Sequence, residues 1–415
     1  MMYTKNRYLP YLMWLLPLIF FAYQFILRLW PGLMLNSIIE QFSIDAAGFG
    51  LLAAFYYFGY AGMQIPCAII LERYGVRRIL CFFAILCGLA NLMFSLTNNF
   101  LIALLCRFLI GACSGIGFLS ISKIVSEWFP KEQYTRMIGL SFTFGLLGAI
   151  YGGKPTNLMI ELYGERMVSI ALALISILIG ICSFIFVRSK NHKKITHSTE
   201  QKFEIANFIR LLSSPAIWCL AIINLLMVGV LEGFTDVWGI QFMMIKHKIL
   251  KGEAAGLVSL VFFGMIFGGP ILSALSKRFG NYFVIAGCGF TMAIAFLLIL
   301  FFPNYNYIFL SILFFVLGIM CCYQVIVFAA GANLVEQKNL SITIAFLNSI
   351  NMLGGSFFHT VIGKLMDFSW GGSFSNDGAK LYDINSYKFS LSTIPICAVI
   401  GSMGIVFLAL NKKAK

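Results

Sequence analysis

The chain has 415 residues, of which 60% are hydrophobic and only 11% charged, and it carries a formal net charge of +14. A water-soluble domain needs about a quarter charged residues to cover its surface, so a fully solvated globule is excluded. The basic excess falls mainly in short loops between apolar runs, the pattern of membrane orientation and anionic-lipid contact, and not of a nucleic-acid surface.

Apolar runs long enough to cross a hydrocarbon core of about 30 Å recur from end to end. They predict helices near residues 9–38, 46–70, 78–97, 100–128, 137–160 and 166–188, then 214–245, 254–275, 282–302, 305–332, 341–367 and 388–411. The first run follows Lys5 and Arg7 but continues past Gln24 and Arg28 with no small-residue cleavage site, so it reads as a retained helix and not a signal peptide. Ser43 and Asp45, Asn98 and Asn99, and Pro303 and Asn304 supply turn and cap chemistry between helices.

A polar, basic stretch, 189–213, divides an N-terminal bundle, 1–188, from a C-terminal bundle, 214–415. The expected fold is an all-α membrane protein with twelve transmembrane helices in two six-helix pseudo-repeats. An internal echo supports the division. Pro66 and then Glu72-Arg73-Tyr74-Gly75 close the second helix, and Pro270 and then Lys277-Arg278-Phe279-Gly280 close the eighth, half a chain later. One set of loops collects Arg73, Arg77, Arg78, Lys131, Arg136, Arg188, Lys190, Lys193, Lys194, Lys277, Arg278, Lys338, Lys412, Lys413 and Lys415. The opposite set carries Glu40, Asp45, Glu161 and Asp367, which places both termini and the linker in the cytoplasm. Lys246, Lys248 and Lys251 run against this assignment.

The eleven cysteines, Cys106, Cys113 and the adjacent Cys321 and Cys322 among them, lie in apolar segments without metal-ligand or disulfide spacing, and read as small buried apolar residues. Gly148 to Lys154 nearly spells a phosphate-binding loop. Pro155 replaces the required hydroxyl residue and no strand precedes it, so ATP-driven transport is not expected. No catalytic constellation stands out, and neither enzyme activity, nor a metal, nor a cofactor is expected.

Glu72-Arg73-Tyr74-Gly75-Val76-Arg77-Arg78 resembles the loop between the second and third helices of the major facilitator superfamily. There an acid, a turn glycine and several arginines hold neighbouring helix ends together as a cytoplasmic gate. The family usually has aspartate as the acid and glycine four residues earlier; here they are Glu72 and Ala68. Shorter segments resemble the phagosomal amino-acid and nucleoside transporters of intracellular bacteria. These are Ala54-Phe55-Tyr56-Tyr57 with Met63-Gln64-Ile65-Pro66, Phe234 to Ile240, Gln324 to Ala329 and Ile362 to Asp367. The resemblance implies a monomeric, multi-pass transporter of the bacterial inner membrane, moving a small organic nutrient with protons as a co-substrate.

Ionisable groups in lipid are costly unless they pair or face water, so each is a functional candidate. Arg28 and Gln24 share a face of the first helix; Arg28 could hold a substrate carboxylate or a neighbouring acid. Glu232 and Asp236 lie one turn apart on the seventh helix, and Asp236 is preferred for a substrate ammonium or a coupling proton, with a counter-ion role to Arg28 as the alternative. Arg107 opens Arg107-Phe108-Leu109-Ile110-Gly111, which resembles a proton-coupling motif, although snorkelling to the interface is an equal expectation. Lys154, between Gly152-Gly153 and Pro155, is expected to face a cavity. Asn348, Asn351 and His359 offer polar contacts on the eleventh helix, or helix-packing hydrogen bonds. Glycines 59, 62, 139, 145, 148, 264, 268, 269, 354 and 355 are expected at close helix contacts.

The functional expectation is alternating access, with Arg28 on a substrate carboxylate and Asp236 on its ammonium or on a proton, amino acids being the first candidate cargo. Three alternatives stay open: a proton-antiport exporter, an importer of organic anions or phosphate esters, and a non-transporting sensor or scaffold.

Overall fold

The computed structural model describes residues 8–188, 213–302, 306–336, 339–374 and 378–413. Lys5, Arg7, the linker 189–212, Pro303, Asn304, Lys338 and Lys415 lie outside the described residues.

Twelve helical passages follow one another among the described residues. The first six are α1 (Leu9–Leu33) prolonged by α2 (Leu35–Phe42), α3 (Ala46–Tyr74), α4 (Val76–Leu96), α5 (Phe100–Ser114) with α6 (Ile116–Trp128), α7 (Lys131–Tyr151) with α8 (Lys154–Tyr163), and α9 (Glu165–Phe186). The seventh passage joins α10 (Pro215–Met227), a π-helical stretch (Gly229–Trp238) and α11 (Gly239–His247). The rest are α12 (Lys251–Phe279), α13 (Asn281–Phe301), α14 (Tyr307–Cys321) with α15 (Tyr323–Ala332), α16 (Leu340–Phe368), and α17 (Ile384–Leu391) with α18 (Thr393–Lys413). Ten of these passages are long and apolar enough to cross a membrane. The two others are α7 with α8, interrupted at Gly152 and Gly153, and α16, which carries Asn348, Asn351, His359 and Lys364.

Several helices that read as continuous in the sequence are thus broken. The first breaks at Met34, whose amide donates to the Pro31 carbonyl at 3.0 Å. The fifth breaks at the paired glycines. The seventh widens into π-helical turns, which no simple hydrophobic period reports. Expected caps are present: Asp45 accepts the Gly48 amide at 2.9 Å, and Asn99 accepts the Leu101 amide at 2.9 Å.

Packing divides the chain into two compact units, Met1–Trp30 with Phe58–Ser198, and Pro31–Tyr57 with Thr199–Lys415. Within the first, α4 packs along α9 and α5; within the second, α13 packs along α18, and α12 along α14. Third with sixth and ninth with twelfth are corresponding pairs of the two six-helix halves. The correspondence extends to detail: Gly59 sits against the Phe108 carbonyl, and Gly264 against the Phe315 carbonyl. The turn glycines correspond too, Gly75 at φ 77° and ψ 159° and Gly280 at φ 86° and ψ 152°. A residue with a Cβ is strained at such angles, so glycine is required at both turns. Arg73 lies 5.4 Å from the Tyr74 ring centre and Arg278 5.2 Å from that of Phe279.

The polarity of the helices is that of a protein in lipid. On α9, Leu174, Leu178, Ile181 and Ile185 are exposed, while Ser169, Ser176 and Ser183 are buried. Ser176 donates to the Ala84 carbonyl at 2.8 Å, a polar contact between helices where water is excluded. Of the glycines expected at close contacts, Gly59, Gly145, Gly148, Gly264, Gly268, Gly354 and Gly355 lie so near a neighbour that a Cβ added there would touch it. Gly62, Gly139 and Gly269 have no neighbour within 4 Å of such an atom.

Candidate functional site

The seventh passage carries the second unit's buried acids. All ten residues of the stretch Gly229–Trp238 are buried, including Glu232 and Asp236, each 1% exposed. Gly229 and Gly233 lie against the Phe358 ring and its Cβ, so a side chain at Gly229 would meet the ring at 2.6 Å. The wide turn is bridged by a hydroxyl, Thr235 Oγ1 donating to the Val230 carbonyl at 2.8 Å. Tyr57 donates its phenol to Asp236 Oδ2, and its oxygen lies 3.5 Å from the Glu232 carbonyl. Asn351 Nδ2 donates to Glu232 Oε1 at 3.2 Å and lies 3.5 Å from Gln324 Oε1. The His359 ring stands 5.4 Å from that of Tyr57. The structure therefore brings together Glu232, Asp236 and Asn351. It adds Tyr57 and Gln324, both inside segments quoted for their family likeness, where nothing but that likeness marks them.

In the first unit Gln24 is 3% and Arg28 7% exposed, and the Arg28 guanidinium lies 5.6 Å from the Phe25 ring centre. Arg107 does not snorkel: it is 1% exposed and donates from Nη1 to the Leu27 carbonyl at 2.9 Å. Glu72 meets a basic group, Lys123, at 2.6 Å, and Arg77 Nε donates to the Phe184 carbonyl at 2.6 Å. Arg78 is exposed. Sequence reasoning misses Lys123 because a lone lysine in an apolar run gives no sign of which loop it faces.

Comparison with known proteins decides the family, for the sequence profile of the Major Facilitator Superfamily matches residues 14–359. The chain belongs to the Major Facilitator Superfamily. It is 27% identical over 158 residues to "Probable anion transporter 5" of Arabidopsis thaliana, a match covering 37% of this chain and 36% of that protein. It is also 27% identical over 196 residues to "Putative metabolite transport protein NicT" of Pseudomonas putida, covering 44% of each chain. The chain thus matches less than half the length of these curated relatives. Among solved structures, a bacterial homologue of the human lysosomal transporter Spinster superposes with a TM-score of 0.73 at 17% identity, covering 97% of this chain and 96% of that one. The nucleoside transporter NupG superposes with a TM-score of 0.76 at 12% identity, covering 95% and 99%. At these identities the structures speak for the fold.

Two further placements complete the polar inventory. Lys154 is exposed at the start of α8, because the break at Gly152 and Gly153 turns a mid-helix position into a helix start. A separate cluster lies at the start of α3. Asp367 Oδ2 accepts the Ala47 amide at 2.7 Å, and Tyr382 Oη accepts the Ala46 amide at 2.9 Å. Tyr382 donates to Asp367 Oδ1 at 2.5 Å, and Lys380 reaches Asp367 at 2.9 Å and Asp45 at 3.4 Å. The Asp367 hydrogen bond, followed by the nearby charges, holds Lys380 above its ordinary value. Partial burial opposes ionisation of Asp45, but the Gly48 amide and Lys380 outweigh it and hold the carboxyl below its usual range. Asp45 and Asp367 are legible as loop acids. Lys380 is not, since one of its two acids, Asp45, comes from a distant part of the chain.

Proposed function

We propose that the protein imports a small carboxylate-bearing nutrient, an amino acid first, by alternating access coupled to protons. It works as a monomer in a bacterial inner membrane with both termini cytoplasmic. The observation that carries the reading is the presence in one chain of a deeply buried guanidinium, Arg28, and two deeply buried carboxylates, Glu232 and Asp236. Such groups are expensive in lipid and are retained where a charged ligand or a proton must be handled.

Arg28 engages the carboxylate, with Gln24 beside it, because a planar guanidinium presents two parallel donors and stays charged at any biological pH. Asp236 accepts the ammonium, and Glu232, held by Asn351, takes the coupling proton. Glu72, Arg73, Gly75, Arg77 and Arg78 form the cytoplasmic gate. Loop charge supports the orientation, the basic loops facing the cytoplasm.

Arg28→Ala is expected to abolish binding of amino acids to the detergent-purified protein, measured by ligand-induced thermal shift. Wild-type affinity in that variant refutes the assignment. A second reading, uptake of organic anions without an ammonium, is favoured by the relative named as an anion transporter. A panel of amino acids against their deaminated carboxylates separates the two.

A further inference from the structure

Proline has no amide hydrogen, so Pro31 leaves the carbonyl of Leu27, four residues earlier, without its helical donor. A backbone carbonyl so exposed in a dry helix bundle is costly unless another group reaches it. The group that reaches it is Arg107, from α5, at 2.9 Å. Leu27 is fully buried and Arg107 is 1% exposed, so no bulk water competes for the bond. The next residue after Leu27 is Arg28.

We propose that Arg107 is a positioning residue: its guanidinium stands in for the amide that Pro31 lacks, and so fixes the backbone that carries Arg28. The inference rests on the reading of Arg28 as the carboxylate-binding residue. Three features of the geometry support it. The acceptor is a main-chain carbonyl, not a carboxylate, so the bond does not report on any proton. The carbonyl is the particular one that proline orphans. The donor comes from a helix tightly seated in its own unit, with Gly59 of α3 packed on the carbonyl of the adjacent Phe108. A guanidinium suits the task because it stays charged and keeps donating whatever the local pH.

The chemistry gives a rescue experiment. Arg107→Met removes the donor while keeping an unbranched side chain in place. It should lower affinity for an amino-acid substrate about tenfold or more, the scale of a lost hydrogen bond to a charged group. It should also lower the melting temperature of the substrate-free protein. Pro31→Ala, added to Arg107→Met, returns an amide to the Leu27 carbonyl and should recover most of both losses. Arg107→Lys, which keeps a donor, should fall between wild type and Arg107→Met.

A double variant as impaired as Arg107→Met overturns the proposal, and so does a rescue of stability without any rescue of affinity, which would make the bond purely structural. Where Arg107→Met is not recovered as folded protein, recovery of folded protein on adding Pro31→Ala reads the same bond. Wild-type protein that binds no amino acid sinks the transport reading and the role toward Arg28 with it. The melting-temperature rescue still decides whether Arg107 replaces the missing amide.

Discussion

The buried carbonyls of Leu27 and Val230, in the first and seventh passages, and the part-buried start of α3 are reached by side chains of different chemistry. In each, a side chain bonds to the backbone where the helix is irregular or begins. In the core, Arg107 serves the Leu27 carbonyl and the Thr235 hydroxyl serves the Val230 carbonyl. At the start of α3, Asp367 and Tyr382 take the Ala47 and Ala46 amides, and Lys380 balances the acids. The two core contacts each sit beside a candidate ligand-handling residue, Arg28 in one case and Glu232 with Asp236 in the other. The α3 start has no such neighbour, and its groups are half-exposed. Charges in a dry bundle are costly enough to be kept for function, whereas ion pairs at a wet helix end are cheap and adjustable.

The comparison breaks first if the π-helical stretch does not exist to present a charge. Asp236→Asn keeps the shape and the Tyr57 contact but removes the charge. It should weaken binding of an ammonium-bearing substrate by roughly a hundredfold, in line with the loss of one partner from a buried charge pair. Titration calorimetry on the purified protein measures this, and undiminished affinity would assign the carboxylate a packing role. Thr235→Val then tests the break itself. Losing a neutral hydrogen bond to the Val230 carbonyl should cost about 1 kcal/mol of stability with little effect on affinity. A large loss of affinity in Thr235→Val would mean that the wide turn, and not only the charge on it, sets the binding geometry.

The twelve passages, the two related halves and the turn glycines Gly75 and Gly280 are legible in the sequence because they follow from local rules: apolar length, loop charge and positive φ. The breaks are not. Pro31 can be seen in the sequence, but the residue that answers its missing amide is on another helix, and no spacing along the chain reports it. Arg107 stands out for a motif, yet both expectations for it, proton coupling and snorkelling, overlook the carbonyl it holds. The π-helical stretch is hidden because Gly229 and Gly233 look like ordinary membrane-helix packing residues until Phe358 is seen against them. Gly152, Gly153 and Pro155 mark a loosened backbone around Lys154, but they do not by themselves show that a new helix starts there.

The smallest expected effect sharpens the other side of the comparison. Lys380→Met removes the charge that ties Asp367 to Asp45, leaving the direct Asp367 and Tyr382 contacts to Ala47 and Ala46 in place. The stability loss should stay below about 1 kcal/mol and shrink further in high salt, because the pair is partly solvated. The pH dependence has a definite sign. Lys380 is held above its ordinary value in the folded state, so its contribution is complete below the unfolded lysine range, near 10.4 as an approximate reference, and fades as pH rises through the folded value. Asp45 is held below its ordinary value, so its contribution is complete above about 4 and is lost as pH falls. The difference in melting temperature between wild type and Lys380→Met should therefore be flat from about pH 5 to 9 and close at both extremes. The core bond from Arg107 to Leu27 involves no group that titrates in that range, so the Arg107→Met difference should stay constant across all of it and be indifferent to salt. Equal salt sensitivity of the two variants would erase the distinction between dry and wet caps.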